Sequence, residues 1–328
     1  MELISVKKEP TIIISRSGLK VKSTNDKDFI KANSIAIDLD NLSRDCIVPV
    51  FAKDNEVTIS HSQFIEVGLD ALKIALGVDF NTPQVRVSHQ IKGRTPDALY
   101  LDVKDLKEEQ KTTYYERMAW VARIPQFTTC IDGNEVSLAI GGIRAYNQEN
   151  LYSKKSFEKF KFFIGFQNMV CLNLCISSDG TVLELKSDSL LDLRNKLVGN
   201  INKFDYKKQY SALENLTNCV ISDKQFSTII GKARLYQYLP KKDKVGIPEL
   251  LITDSQFGIV AKDYYKDQSF CRNTNGDINL WKLYNLLTGA NKSSYIDKFL
   301  ERGINAYEFT QGISLALREE SEYSWFLD

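Results

Sequence analysis

The sequence contains few histidines and no large excess of charge. Its 328 residues include two histidines, His61 and His89, and its 43 basic side chains oppose 42 acidic ones, which gives a formal net charge of +1. Two histidines exclude metal sites built from several imidazole ligands. A chain with so little net charge also lacks long-range attraction for nucleic acid or anionic membranes, so any such binding must come from a local group of cations.

Long apolar runs and closely paired cysteines are missing as well. No apolar stretch approaches the roughly 20 residues that cross a bilayer, and the first ten residues hold no apolar core of signal-peptide length. We therefore expect a cytoplasmic protein without membrane contact. The six cysteines include no Cys-x-x-Cys pair, and a chain of this size does not need a disulfide framework, so we expect buried, reduced thiols.

Several enzyme signatures are absent from the chain. It has no Gly-x-Ser-x-Gly, His-Glu-x-x-His or Gly-x-Gly-x-x-Gly pattern. Residues 289–294 resemble a phosphate-binding loop superficially, but Asn291 stands where that loop needs a glycine before Lys292. A turn between two helices is the preferred interpretation there. We expect no cofactor and no bound metal.

The apolar pattern that is present indicates an α+β protein. Period-two alternation between residues 118 and 186, with short connections, predicts a mainly antiparallel sheet in the middle of the chain. After Lys186 the apolar period changes to 3.6, which predicts a helical C-terminal part. We divide the chain into a sheet-rich part, 1–186, and a helical part, 187–328, with one continuous domain as the alternative.

Individual elements follow from local patterns and turn residues. The predicted strands are 12–14, 46–51, 85–89, 118–124, 136–143, 160–166, 170–176 and 182–185. The predicted helices are 61–76, 189–201, 223–239, 254–265, 278–287, 292–301 and 306–318. Capping-box patterns at Ser60, Ser222 and Thr253, and a looser one at Asn305, mark helix starts.

A first basic segment, 86–96, is a candidate for binding nucleic acid. Its candidate contacts are Arg86, His89, Lys92 and Arg94. Gly93 and Pro96 predict a loop for its second half, and cations in a loop can hold phosphates. A solvated turn is the alternative.

A second basic segment, 232–242, combines cations with aromatic rings. Lys232 and Tyr236 are four residues apart on the predicted helix, as are Arg234 and Tyr238. Bases of a single strand stack on such rings while the cations meet phosphates. The alternative is an amphipathic helix with half-buried tyrosines.

Two further features complete the candidate sites. Arg144 follows a pair of glycines, Gly141 and Gly142, which indicates either a ligand or close packing at that point. For binding, we expect the cations of the first basic segment to converge with Arg144 or with Lys232 and Arg234.

An acidic group near the end of the predicted sheet suggests a different function. Asp179, Glu184 and Lys186 resemble the acidic arrangement with which some nucleases hold Mg²⁺. The spacing is tighter than usual there, and solvated charges at strand ends are the alternative.

Four segments together resemble a known family. They read Tyr-Tyr-Glu-Arg-Met-Ala at 114–119, Gly-Gly-Ile-Arg-Ala-Tyr-Asn at 141–147, Phe-Ile-Gly-Phe-Gln-Asn-x-Val-Cys at 163–171 and Leu-Thr-Gly-Ala-Asn-Lys-Ser-Ser-Tyr-Ile-Asp at 287–297. They are similar to an uncharacterised domain-of-unknown-function family of gut-anaerobe bacterial genomes and mobile elements, over about residues 30–318. Residues 166–173 are more distantly similar to phage/plasmid-like proteins. The resemblance supplies no catalytic residues; it implies a phage, plasmid or transposon context, in which DNA handling is common.

These observations lead to one leading hypothesis and two alternatives. We expect a non-enzymatic nucleic-acid-binding accessory protein, with single-stranded DNA as the favoured partner. The alternatives are a metal-dependent nuclease and a protein-interaction or inhibitor protein.

Overall fold

The fold is taken from a computed structural model of the chain. It describes residues 28–45, 58–98, 100–149, 157–319 and 321–328. The strands predicted at 12–14 and 46–51 lie outside these residues.

An antiparallel sheet occupies the middle of the chain, as predicted. Its strands are β1 (Ile35–Ile37), β2 (Gln84–Arg94), β3 (Lys111–Ile131), β4 (Asn134–Ala145), β5 (Glu158–Asn168), β6 (Leu174–Cys175) and β7 (Thr181–Ser187). They follow the order β1-β2-β3-β4-β5-β6, and β7 pairs with β5 beside this path. Each pairing is antiparallel, because short connections join most successive strands.

Both faces of the sheet are buried. On β3, Met118 and Trp120 join the main hydrophobic cluster together with Phe64 of the helix at 61–76. The alternate residue Ala119 joins a second cluster with Phe299, on the opposite face. The apolar strand β5 lies between these layers and is covered on both faces.

Helices dominate the rest of the chain, and the three capping boxes were predicted correctly. The helices are α1 (Leu39–Asp45), α2 (His61–Leu76), α3 (Leu190–Lys203), α4 (Tyr206–Asn215), α5 (Asp223–Tyr236), α6 (Asp254–Lys266), α7 (Leu280–Asn291) and α8 (Phe299–Ala316), with a small ribbon of β8 (Val220–Ile221) and β9 (Ile278–Asn279). Ser60, Ser222 and Thr253 cap α2, α5 and α6 through reciprocal bonds with a glutamine. Within the described residues, no helix has the length and apolar character needed to span a membrane.

The sheet and the helical part share one hydrophobic cluster. It contains Trp120 and Phe160 of the sheet together with Leu197 of α3 and Trp281 of α7. Polar contacts also cross the boundary near Lys186: Asn168 Nδ2 donates to Asn285 Oδ1 at 3.1 Å. The sheet-rich and helical parts therefore share a common core.

Four predicted elements were wrong in their extent. Residues 170–176 form a strand only at Leu174–Cys175, because the chain first turns tightly: the Leu172 amide donates to the Asn168 carbonyl at 2.8 Å, and Leu172 has φ of 60°. The predicted loop in the second half of 86–96 is instead strand through Arg94, since β3 offers partners along its length and Gly93 pairs with Thr112.

The helix predicted at 306–318 is the C-terminal part of a longer helix, α8, which begins at Phe299. Of the helix predicted at 292–301, only residues 299–301 belong to α8. Asn305 gave a false start signal. Its side chain accepts from the Leu251 amide at 2.7 Å and donates to the Glu249 carbonyl at 2.7 Å, so it ties a neighbouring segment to the helix instead of capping one. The helix α4 was not predicted.

The glycine pair of β4 is explained by packing. A Cβ on Gly141 would lie 2.2 Å from the Trp120 carbonyl oxygen, and one on Gly142 would lie 2.5 Å from the Phe64 ring. No other residue allows strand and rings to approach so closely. Of the two predicted explanations, close packing is the one the structure supports.

We expect Gly141→Ala to lower the free energy of unfolding by about 1–3 kcal/mol, because the added methyl group overlaps backbone and ring atoms. Urea denaturation followed by circular dichroism measures this. Gly199→Ala is the matched control, since a Cβ there meets nothing within 4 Å, and on helix α3 it is expected to stabilise by up to about 1 kcal/mol. Equal effects of the two changes would contradict this explanation.

Candidate functional site

Arg144, a predicted phosphate contact, lies at the centre of a buried ionic cluster. Its side chain is fully buried, and its guanidinium pairs with Glu149 at 3.0 Å and also with Glu158. It donates to the Ile59 carbonyl as well and lies 4.6 Å over the rings of Tyr146 and Phe160. An arginine surrounded in this way is not available to a phosphate at the surface.

Burial and neighbouring charges together shift the pKa values of this cluster. Burial acts to lower the pKa of Arg144, but Tyr146 and the two glutamates outweigh it and the pKa is raised. Burial raises the pKa of Glu149, which Arg144 opposes. His61 stacks on Tyr146 with ring centroids 4.4 Å apart, and burial, followed by the charge of Arg144, lowers the pKa of His61 to about 3.

Arg86 is also engaged within the fold, and on the other face of the sheet. Its guanidinium pairs with Asp28 at 3.1 Å and donates to the Ser34 carbonyl at 2.6 Å. The register pairs Arg86 with Ala119 and Arg144 with Met118, and successive residues of a strand point to opposite faces. The sheet therefore separates Arg86 from Arg144, and the predicted convergence of these two cations does not occur.

The distal end of β2 carries the other candidates of the first basic segment. Lys92 is exposed. The Arg94 guanidinium donates to the Leu101 carbonyl, and His89 lies 3.4 Å from a carboxylate oxygen of Glu116. At this end of the strand Lys92 faces solvent, whereas Arg94 and His89 contact other groups of the protein.

Three of the four candidates of the second basic segment lie on α5, and two of these pack against neighbouring elements. Tyr236 is buried, in agreement with the amphipathic-helix alternative. The Lys232 ammonium lies 4.7 Å over the Trp325 ring. Arg234 is half exposed and binds Asp254 through two hydrogen bonds of 2.6 and 3.2 Å.

Just beyond α5, the chain leaves an aromatic ring and several cations at the surface. Tyr238 is 75% exposed. Pro240 then begins a short 3-10 turn, Lys241–Lys244, in which Lys241 and Lys242 are exposed. The apolar side chains of Leu235 and Val245 flank it, 63% and 83% exposed. We call Tyr238, Lys241, Lys242, Leu235 and Val245 the α5-end surface; sequence reasoning identified Tyr238 but not the two apolar neighbours.

Positive charge is concentrated in the chain segment that carries this surface. Residues 232–244 contain five cations and one carboxylate, and the Asp254 carboxylate bound to Arg234 brings the local excess to three positive charges. The whole chain has a net charge of only +1. The segment 232–244, which includes Lys241 and Lys242 of the α5-end surface, is thus locally positive on an otherwise balanced protein.

The acidic group proposed for a nuclease is divided among separate ion pairs. Asp179 pairs with Lys208 at 3.1 Å. Glu184 lies 3.3 Å from Lys159 and 3.5 Å from Lys186, and a hydrogen bond from Lys159, with the charge of Lys186, lowers its pKa. In the described part of the chain, no group of three or more His, Cys, Asp or Glu side chains is arranged to hold a metal ion.

A second carboxylate does accompany Glu184. Glu184 and Glu301 line a pocket of about 300 Å³ together with Lys159 and Lys161. Lys161 binds Glu301 at 2.7 Å. Each carboxylate in this pocket therefore has an ammonium partner, and the surroundings carry as many positive as negative charges.

Comparison with known proteins identifies the family. No curated protein and no solved structure matches the chain. A family model with the description "Domain of unknown function, B. Theta Gene description (DUF3871)" matches residues 8–327. Because this match spans nearly the whole sequence, the chain belongs to that domain-of-unknown-function family.

Proposed function

We propose that the protein is a non-enzymatic, cytoplasmic nucleic-acid-binding protein that binds single strands at the α5-end surface. The observation that carries the proposal is the exposed ring of Tyr238 beside Lys241 and Lys242, in a segment with a local excess of three positive charges. Single strands bind where bases stack on aromatic rings and phosphates meet cations. The resemblance to families of mobile elements supports an accessory role with phage, plasmid or transposon DNA by association.

The positions of the residues also favour a single strand over a duplex. Tyr238, Lys241 and Lys242 follow the end of α5 and do not lie along its exposed face, so they do not form the row of contacts that a helix makes in a major groove. An exposed ring at a helix end can instead receive an unstacked base. Lys241 and Lys242, three and four residues later, would then meet neighbouring phosphates.

The proposal predicts a specific loss in two variants. We expect Lys241→Ala/Lys242→Ala to reduce the slope of log affinity against log salt by about 1.4, because two phosphate contacts are lost. We expect Tyr238→Ala to weaken binding by about 1–3 kcal/mol with the slope unchanged, because a base loses its stacking partner. Fluorescence anisotropy with a labelled oligothymidylate, at about 50 and 200 mM salt, measures both effects.

Lys224→Ala/Lys262→Ala is the matched control. It also removes two positive charges, but from the end of the α5–α6 pair that is remote from Tyr238, where Tyr264 of α6 donates to Asp223 at 2.7 Å. Lys224 is about 20 Å along the helix from Tyr238 at 1.5 Å per residue. An equal loss in the control, or no binding by the unaltered protein at about 50 mM salt, would contradict the proposal.

The first basic segment remains a competing surface for the same ligand. Lys92→Ala/Arg94→Ala removes two cations from the distal end of β2. If the α5-end surface holds the strand, this variant should behave like the control. A larger loss of binding affinity in this variant than in Lys241→Ala/Lys242→Ala would show that the strand binds at β2 and not at the α5-end surface.

A further inference from the structure

A second pocket, of about 340 Å³, lies where the sheet meets the helices. It is formed by the turn after β6, the end of α3, the start of α4 and one face of α8. Its lining includes Ser177, Phe204, Gln209 and Tyr307, with charged side chains nearer the solvent. It is separate from the α5-end surface and from the pocket of Glu184.

Two buried polar atoms of this lining have no partner within the described residues. They are the Ser177 hydroxyl and the Gln209 Oε1, on residues that are 4% and 5% exposed. The Gln209 Nε2 donates to the Cys175 carbonyl at 3.4 Å. This bond sets the orientation of the amide, so the atom without a partner is the acceptor Oε1. Buried polar atoms are nearly always hydrogen-bonded, so these two oxygens are free to accept from a donor that occupies the pocket.

The other walls are aromatic. Tyr307 is half-buried, and its ring packs edge-on against Tyr284 at 6.0 Å. The Phe204 ring reaches its place because residue 180 is glycine: a Cβ there would lie 2.8 Å from that ring and 2.1 Å from the Ile164 carbonyl oxygen. Two rings beside buried hydrogen-bonding atoms suit a molecule that has both C–H faces and hydroxyl groups.

The charges at this pocket are balanced, and Asp179, Lys208 and Asp205 already have partners within the protein. Asp179 pairs with Lys208 at 3.1 Å, and Asp205 accepts from the Lys208 amide at 3.0 Å as the cap of α4. The lining contains two carboxylates and two ammonium groups in all. A charged ligand would gain little here and would lose its hydration beside the uncharged Ser177 and Gln209.

We infer that this pocket binds a small, uncharged, polyhydroxylated molecule of about the size of a monosaccharide. One ligand hydroxyl donates to Gln209 Oε1 and another exchanges a hydrogen bond with the Ser177 hydroxyl. The C–H groups of the ligand pack against Phe204 and Tyr307. This inference is independent of the proposed nucleic-acid function.

Saturation-transfer NMR on the full chain tests the inference. The probes are glucose, galactose, ribose and myo-inositol at millimolar concentration, with glucose 6-phosphate and glutamate as charged comparators. We expect at least one neutral probe to show saturation transfer and to bind about tenfold more weakly to Ser177→Ala and to Gln209→Leu. The charged comparators should bind more weakly than the best neutral probe.

Ser177→Ala keeps the test decisive if Gln209→Leu fails to fold, because the serine hydroxyl has no partner in the described protein that the change would remove. Lys196→Ala, on the exposed side of α3, is the control that should leave binding unchanged. No transfer to any neutral probe, equal binding to the unaltered protein and Ser177→Ala, or stronger binding of a charged comparator would each overturn the inference.

Discussion

Replacing Arg144 by methionine is expected to lower the free energy of unfolding by about 3–5 kcal/mol. The substitution keeps most of the side-chain volume but leaves the carboxylates of Glu149 and Glu158 buried without their shared cation. The Ile59 carbonyl loses a donor at the same time. Removing one member of a buried ion group is costly because the remaining charges cannot regain their hydration. Urea unfolding at neutral pH, followed by circular dichroism, measures the loss.

Arg234→Met is the matched control for this prediction. Its guanidinium also binds a carboxylate, but both groups reach solvent, with side chains 52% and 30% exposed. We therefore expect a loss below about 1 kcal/mol. Adding Glu149→Gln and Glu158→Gln to Arg144→Met should recover part of the lost stability, because neutral amides are less costly to bury than carboxylates. Equal losses for Arg144→Met and Arg234→Met would show that the buried cluster does not stabilise the fold as argued.

Arg144 also shows why the candidate site could be predicted only in part. In the sequence it follows two glycines and a strand, a setting equally typical of a ligand contact. Its partner Ile59 is 85 residues away and Glu158 is 14 away, and no local pattern indicates that the three meet. Burial of a cation depends on the neighbours that the fold brings to it, so sequence-local reasoning left a ligand contact and close packing as alternatives at Arg144.

The same limit applies to the pocket of Ser177 and Gln209. These residues are 32 positions apart, and Tyr307 is nearly a hundred residues further on. Each is unremarkable where it stands in the sequence. The pocket forms where the turn after β6 meets α3, α4 and α8. The shape of such a pocket does not produce a periodic pattern in the sequence.

Local rules succeeded where the physical cause is local. The start of α2 after Ser60 and its end at Leu76 were predicted correctly, because the capping bonds at both ends join residues three or four apart. The antiparallel sheet followed from alternation and short connections. The division of α8 into two helices failed because Asn305 can cap a helix or bind a distant segment, and only the tertiary contact with Glu249 and Leu251 decides between them.

The stability of the protein is expected to fall as the pH drops below about 6.5, because of His61. The His61 Nε2 donates to the Tyr115 carbonyl at 2.8 Å, and Nδ1 has no hydrogen-bond partner within the described residues. Protonating Nδ1 would place a second buried cation near Arg144. Burial and Arg144 lower the pKa of His61 from 6.5 to about 3, so the folded state excludes a proton that the unfolded chain binds.

The sign and size of the effect follow from this difference in pKa. At pH values above 6.5 both states leave His61 neutral, and it contributes no pH dependence. Below 6.5 each further pH unit costs about 1.4 kcal/mol until the pKa of the folded state is reached. Lowering the pH from 6.5 to about 5 should therefore remove about 2 kcal/mol, and the full window about 5 kcal/mol.

The two histidines allow a direct comparison. His61→Gln keeps a donor for the Tyr115 carbonyl but cannot be protonated, so its loss of stability between neutral pH and a pH of about 5 should be smaller than that of the unaltered protein by about 2 kcal/mol. His89→Gln changes a histidine whose side chain is 57% exposed, and it should keep the pH dependence of the unaltered protein. Urea unfolding at both pH values measures each difference. If His89→Gln removes the dependence, or if His61→Gln retains it in full, His61 is not the group that destabilises the fold in acid.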